Sequence, residues 1–292
     1  MDFQIYEVGP RDGLQGRNTI TPTADKMALI DSIVKAGINK IEVGSLVHPL
    51  LVPNMADSDV VYSQAASQHP NCELGVLIPN NTGMKRAKAL GVQKYNIFMS
   101  PSESFNKNNH NDSSQGVFRK YLDALKKIRR RDVRVYLSCI FGCPMDGEIE
   151  EGALIKSLER ADYFGKKIVL SDTAGLATPD NIQSVIQLAN DIGVSANMAL
   201  HLHHDGSNES MGEKLDMAYS MGVREFDSSI GGLGGCPFVT NSGGNLATEE
   251  LVEWGEKGGL NTSVNPDGLK EAMNFVRRVI RKGKEALPYS AQ

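Results

Sequence analysis

Eight times along this chain a short apolar run gives way to a segment with helical periodicity, and that alternation constrains the fold more than any other feature. FQIYEVGP, INKIEVGS, CELGVLIPN, KYNIFMSPS, VRVYLSCIFGCP, KKIVLSDTAG, NMALHLHHDG and EFDSSIGG read as strands. Between them, segments such as ALIDSIVKAG, GMKRAKALG, VFRKYLDALKKIRR, LIKSLERADYFG and DNIQSVIQLANDIG repeat their apolar residues at helical spacing. SESFNKNNHNDSS reads as a polar connection, and ATEELVEWGEKGG as the closing helix. Strand–helix alternation favours parallel strands, so eight units in 292 residues predict an α/β fold of the (β/α)8 TIM-barrel type, a single catalytic domain over residues 1–292. A doubly wound open sheet would alternate in the same way, but no G-x-G-x-x-G follows the first strand and no P-loop occurs.

A barrel of this kind builds its active site at the C-terminal ends of the strands. Arg11 and Asp12, Glu42 with Ser45 close behind, Ser138 and Cys139, Asp172 and Thr173, His201 and His203, and Cys236 all fall there. His201 and His203 are two apart in an apolar run, so both imidazoles face one side of a strand and form half a metal site. Barrel closure makes strands one, seven and eight neighbours, which brings Asp12 and Asn245 toward the histidines. Two imidazoles, a carboxylate and an amide oxygen suit a divalent ion such as Mg2+ or Mn2+ better than thiolate-rich zinc. His204 points to the opposite strand face and takes no ligand role. Cys236 sits in a glycine-rich loop before Pro237, where burial is least expected and a reactive thiol fits. Arg11 reads either as an ion-pair partner of Glu42 or Asp172 or as a cation for a developing oxyanion.

A formal charge of -4 without an extended basic stripe argues against nucleic-acid binding. No apolar stretch approaches the ~18 residues of a membrane span, and no apolar leader precedes the first strand, so a cytoplasmic location is expected. Cys139 and Cys143 have no second Cys or His pair beside them to complete a zinc site.

EVGPRDGLQ, IEVGS, SCIFGCP, LSDTAG, HLHHD and GGLGGCP followed by GGNLATEE occur in an order that closely resembles the 3-hydroxy-3-methylglutaryl-CoA lyases, over nearly the whole chain. The resemblance implies a metal-dependent retro-Claisen cleavage of 3-hydroxy-3-methylglutaryl-CoA, or a close analogue, to acetyl-CoA and acetoacetate. It implies Asp12, His201, His203 and Asn245 as metal ligands, Arg11 as the enolate-stabilising cation and Cys236 as the acid carried by a loop. Glu42, Asp172 and Glu249 become supporting carboxylates, with Ser45 and Thr173 as substrate or support positions; Asp12 and His201 both stand as candidates for the base. The partners expected are a small-molecule acyl-CoA, no nucleic acid and no membrane, with room for a homo-oligomer. Rival readings are a Claisen-type synthase, a 4-hydroxy-2-oxoacid aldolase, or a barrel that binds acyl-CoA without catalysis. The chain departs from the family at Gly16-Arg17, where Asn-Glu is usual, and in a longer turn over His204 to Ser207. Arg17 is therefore expected to alter the field at the entrance.

Overall fold

The computed structural model describes residues 1–204, 211–234 and 244–283. Its eight strands are β1 (Gln4–Glu7), β2 (Lys40–Ser45), β3 (Glu73–Leu77), β4 (Lys94–Met99), β5 (Val133–Ser138), β6 (Lys167–Ser171), β7 (Asn197–His201) and β8 (Glu225–Ser228). All pairings are parallel, and β1 joins β8 in the register Gln4↔Glu225 to Glu7↔Ser228, which closes the barrel. The expected TIM barrel is thus the observed architecture.

Outside it pack α1 (Thr23–Lys35), α2 (Ser58–Gln68), α3 (Asn81–Leu90), α4 (Glu103–His110), α5 (Ser114–Ala124), α6 (Glu151–Phe164), α7 (Pro179–Asp191), α8 (Met211–Ser220), α9 (Thr248–Lys257) and α10 (Pro266–Gly283). Two of these go beyond the pattern read from sequence. The polar stretch after β4 contains α4, started by Ser102 accepting from the Phe105 amide at 3.0 Å. Beyond α9, Asn265 Oδ1 accepts from the amides of Asp267 and Gly268 and starts α10, which lies on α1. Gly268 permits that approach, since a Cβ there would come within 2.7 Å of Ala36 Cα. No described helix is long and apolar enough to cross a membrane.

The outward faces of the strands form the apolar core with the helices; Phe3 and Phe226, for example, pack on Trp254 with ring centroids 5.4 and 5.7 Å apart. The inward face is different, because many of its residues are polar. Tyr6 Oη and Glu42 Oε1 both accept from Asn96 Nδ2, at 2.9 and 2.7 Å. Arg134 pairs with Glu225 and Asp227 and lies 4.1 Å from the Tyr6 ring centroid. Gly75 of β3 leaves the space these groups occupy: a Cβ there would stand 2.2 Å from Tyr6 Oη and 2.8 Å from Asn96 Nδ2. Gly75→Ala should therefore lower stability by about 1–3 kcal/mol through overpacking. Urea unfolding measures it, and a wild-type midpoint would show that the interior can give way.

Candidate active site

Strands that point side chains alternately in and out carry inward residues at i, i+2 and i+4. On β5 these are Arg134, Tyr136 and Ser138, the last two lining a cavity of about 210 Å³ at the C-terminal mouth. Arg11, Asp12, His201 and His203 line the same cavity, while Phe98 of β4 and Phe105 of α4 give it an apolar wall.

Arg11 and Asp12 arrive on a single widened turn, Gly9–Gly13, in which the Gly13 amide reaches five residues back to the Val8 carbonyl at 3.3 Å. Such π-turns recur at functional sites because they re-aim neighbouring side chains. The turn is anchored by Glu7, whose Oε1 accepts from the amides of Gly9 at 2.8 Å and Ile230 at 3.1 Å. Oε2 of the same carboxylate accepts from Thr248 Oγ1 at 2.6 Å, so Glu7 ties the loop after β1 to the segment after β8. Burial pushes its carboxyl up to about 8 despite those three donors.

Asp12, His201 and His203 bring one potential ligand atom each to within 4.8 Å of one another. The free nitrogen of each imidazole is selected by what holds the other one. His203 Nδ1 donates to the Asp172 carbonyl at 2.7 Å, and its buried Nε2 has no hydrogen-bond partner among the described residues. His201 Nδ1 lies 3.2 Å from Asp227 Oδ2. Burial and the neighbouring His201 lower His203 to about 4, so its ring is neutral near pH 7 with a lone pair to offer. Burial alone would raise Asp12, but Arg11 and the two histidines outweigh it and hold the carboxyl at about 2. Asn245 donates from Nδ2 to Asp12 Oδ2 at 2.8 Å and to the Leu233 carbonyl at 2.7 Å. Its Oδ1 is buried without a partner among the described residues, and a β-bridge places residue 245 beside His203. A carboxylate, two imidazoles and an orphaned amide oxygen fit a divalent ion, which would satisfy two buried atoms that otherwise go unpaired.

The guanidinium of Arg11 is fixed between Glu42 and Asp12. Glu42 is fully buried, shared between Arg11 and Asn96, and burial raises its carboxyl against the pull of Arg11. A bulge in β2 between Glu42 and Gly44 adjoins this contact.

Other expected residues serve from a distance. Asp172 turns its carboxylate into the bend after β6, accepting from the Leu176 amide at 2.7 Å, and burial raises it to about 6; it meets His203 through its backbone carbonyl. Thr173 does line the cavity, its Oγ1 accepting from the Cys139 amide at 2.9 Å. Glu249 accepts from the Gly231 amide at 3.0 Å and shapes the turn after β8. Ser45 is buried outside the cavity lining, its amide donating to Ser58 Oγ at 3.0 Å. His204 turns to Glu250, 2.9 Å away. Arg17 does not reach the cavity: it donates to Thr21 Oγ1 at 2.9 Å and toward the Val279 carbonyl of α10 at 3.5 Å. Cys236 lies outside the described residues.

Sequence reasoning passed over Asp227, Glu7 and the α4 residues Phe105 and Asn109, all of which contribute to the site or its support. Asp227 was legible in principle, because it sits two residues from Glu225 on a strand beside the histidines. Asp227→Asn should weaken divalent-ion binding by about 10–100-fold, as loss of a ligand-orienting carboxylate does elsewhere. Mn2+ titration calorimetry is the check, and an unchanged affinity would deny Asp227 that role.

The HMGL-like family model matches residues 2–276. The mitochondrial hydroxymethylglutaryl-CoA lyase of Homo sapiens is 37% identical over 282 residues, covering 96% of this chain and 86% of its own. The cytoplasmic 3-hydroxy-3-methylglutaryl-CoA lyase of Homo sapiens is 36% identical over 283 residues, covering 96% and 75%. Among solved structures, the HMG-CoA lyase of Brucella melitensis superposes with a TM-score of 0.88 at 31% identity, covering 96% of this chain and 99% of that one. The HMG-CoA lyase of Acinetobacter baumannii, in complex with coenzyme A and 3-methylmalate, gives 0.89 at 29% identity, covering 99% and 93%. With the motifs in order, the barrel closed and the match running nearly end to end, the chain belongs to the HMGL-like family of lyases.

Proposed function

We propose that this enzyme cleaves 3-hydroxy-3-methylglutaryl-CoA to acetyl-CoA and acetoacetate with the help of Mg2+ or Mn2+. The observation that carries the reading is the convergence of Asp12, His201 and His203 beside Arg11 in one cavity, with Asn245 Oδ1, unpaired among the described residues, next to His203. The relatives matched over most of the chain are lyases, which does not favour the synthase, aldolase or non-catalytic readings.

Asp12, His201, His203 and Asn245 Oδ1 would hold the ion, which when bound supplies a Lewis acid for the C3 hydroxyl and the ketone it becomes. Two groups stand ready for the hydroxyl proton, Asp12 and His201. As the C2–C3 bond breaks, its electron pair passes into the thioester, and charge grows on the thioester oxygen. Arg11 meets that charge from a position already set by Glu42 and Asp12, with no reorganisation at the moment of reaction. Phe98 and Phe105 give the cavity a low-polarity wall that strengthens this interaction. Cys236 returns a proton to C2, completing acetyl-CoA.

Acetyl-CoA release by the purified protein should require a divalent ion and stop on chelation. Activity that survived exhaustive chelation would end the metal-dependent reading. Cys236→Ser should retain Mn2+ binding but lose about 10²–10⁴-fold in kcat, the usual contribution of a positioned acid. Wild-type turnover by that variant would assign the proton to another group.

A further inference from the structure

The opposite mouth of the barrel, at the N-terminal ends of the strands, holds a second cavity of about 240 Å³. The same inward alternation that supplies the catalytic mouth supplies this one: Lys94 and Asn96 precede Phe98 on β4, Arg134 precedes Tyr136 on β5, and Lys167 opens β6. Lys40, Lys94, Arg131, Arg134, Lys166 and Lys167 all line it, with Glu73 as the lining carboxylate.

Their ion pairs do not use them up. Glu225 is shared by Arg134, by Lys40 at 2.7 Å and by Lys167 at 3.4 Å. Asp227 takes the other side of Arg134, and Glu73 takes Lys94 at 3.2 Å. Lys166 reaches a hydroxyl, Ser195 Oγ at 3.1 Å. Arg131 Nε stands 4.0 Å from Asp132, which already receives Arg129 Nε at 2.6 Å. Six cations thus face Glu73, Glu225, Asp227 and Asp132, the last already engaged by Arg129. Neutralisation of Glu225 accounts for Lys40, Lys167 and Arg134, but gives no reason for Arg131 and Lys166 to stand at the same opening. The excess is felt inside: burial first, and then Arg134 and Lys40, lower the Lys167 ammonium against the pull of Glu225.

We propose that this N-terminal mouth binds a multiply charged oxyanion of the phosphate class, with the exposed Arg131 and Lys166 at its rim and the half-buried Lys40, Lys94 and Lys167 lining it. A concave wall of one sign focuses its field on a counter-ion, and Lys and Arg are the side chains that recognise phosphate oxygens. The volume lies below the ~300–1,000 Å³ usual for organic ligand sites, so the recognised part is a compact charged group. A ring of cations around a closed hole also differs from the stripe that a nucleic-acid backbone would need.

Isothermal titration of the Mg2+-loaded enzyme with inorganic phosphate, and separately with glycerol 3-phosphate, at constant ionic strength tests the site. Saturable 1:1 binding is expected, weakened at least tenfold in the double variant R131Q/K166Q. Both side chains are exposed and far from the catalytic mouth, so thioester cleavage without phosphate should be unchanged. Should that variant fold poorly, Lys94→Gln alone gives the same comparison. Tighter binding of the monoester would identify an organic phosphate as the source, and tighter binding of the inorganic ion would identify free phosphate. The proposal is overturned by absent saturation in the wild type, or by unaltered affinity in the variants. Binding that vanished on Mg2+ removal would equally overturn it, since the anion would then sit at the other mouth.

Discussion

Arg11→Gln is expected to slow turnover by about 10²–10³-fold, the effect of losing one preorganised oxyanion donor. The variant should also be less stable, because the guanidinium lies between two carboxylates, Asp12 and the fully buried Glu42. Removing one member of a buried ion pair typically costs about 3–5 kcal/mol, since the remaining charge is left uncompensated. Burial already raises the Glu42 carboxyl, so without Arg11 it takes up a proton, and the loss falls toward the lower end of that range. Arg11→Lys should restore part of the stability and little of the rate. A single ammonium carries the charge but not the planar fork that spans both carboxylates. Steady-state cleavage with urea unfolding on the same preparations separates the two effects. A kcat retained in Arg11→Gln alongside reduced stability would leave Arg11 a structural role only.

His203→Ala should abolish measurable activity and weaken Mn2+ binding by more than the ~10–100-fold that accompanies loss of an outer-shell partner. The imidazole it removes is held by the Asp172 carbonyl, kept neutral by burial, and presents a buried Nε2 with no hydrogen-bond partner among the described residues. Thermal denaturation gives an independent readout. An ion at a hundred times its Kd stabilises the native state by about 2.7 kcal/mol, and the wild type should show that gain while the variant shows none. A metal-dependent stabilisation of equal size in both would place the ion elsewhere.

The fold was legible because its outward strand faces and its helices carry ordinary apolar patterns, punctuated by glycine and proline at the turns. The candidate ligands were legible for a related reason: Asp12, His201, His203 and Asn245 lie at or beyond the C-terminal ends of β1, β7 and β8, and barrel closure makes those strands neighbours. Helix α4 was not, since in ESFNKNNH Phe105 and Asn106 are the residues that become buried, too few for a helical period to register. Asn106 is fixed by donating to the carbonyls of Ser100 and Ser102, which no pattern of hydrophobicity reports. Asp227 and Glu7 were overlooked because their partners lie mostly on other strands or their loops, His201 and Arg134 for Asp227 and the segment after β8 for Glu7, and those contacts exist only once the strands have closed. Where Arg17 points was not legible either: its guanidinium donates to Thr21 Oγ1 and toward the Val279 carbonyl of α10, and that helix was not read from the sequence.

The linked Tyr6, Glu42 and Asn96 side chains inside the barrel bear on how this protein can change over time. A greasy interior drifts by exchanging one hydrocarbon for another of similar bulk, each step nearly harmless. Here a single exchange strands a neighbour's donor or acceptor where water cannot reach it, so the permitted steps are coordinated ones. Divergence should consequently be slow along the axis and quick on the outer helices, and attempts to recruit this scaffold for new chemistry will succeed by altering the two rims while inheriting the axis unchanged.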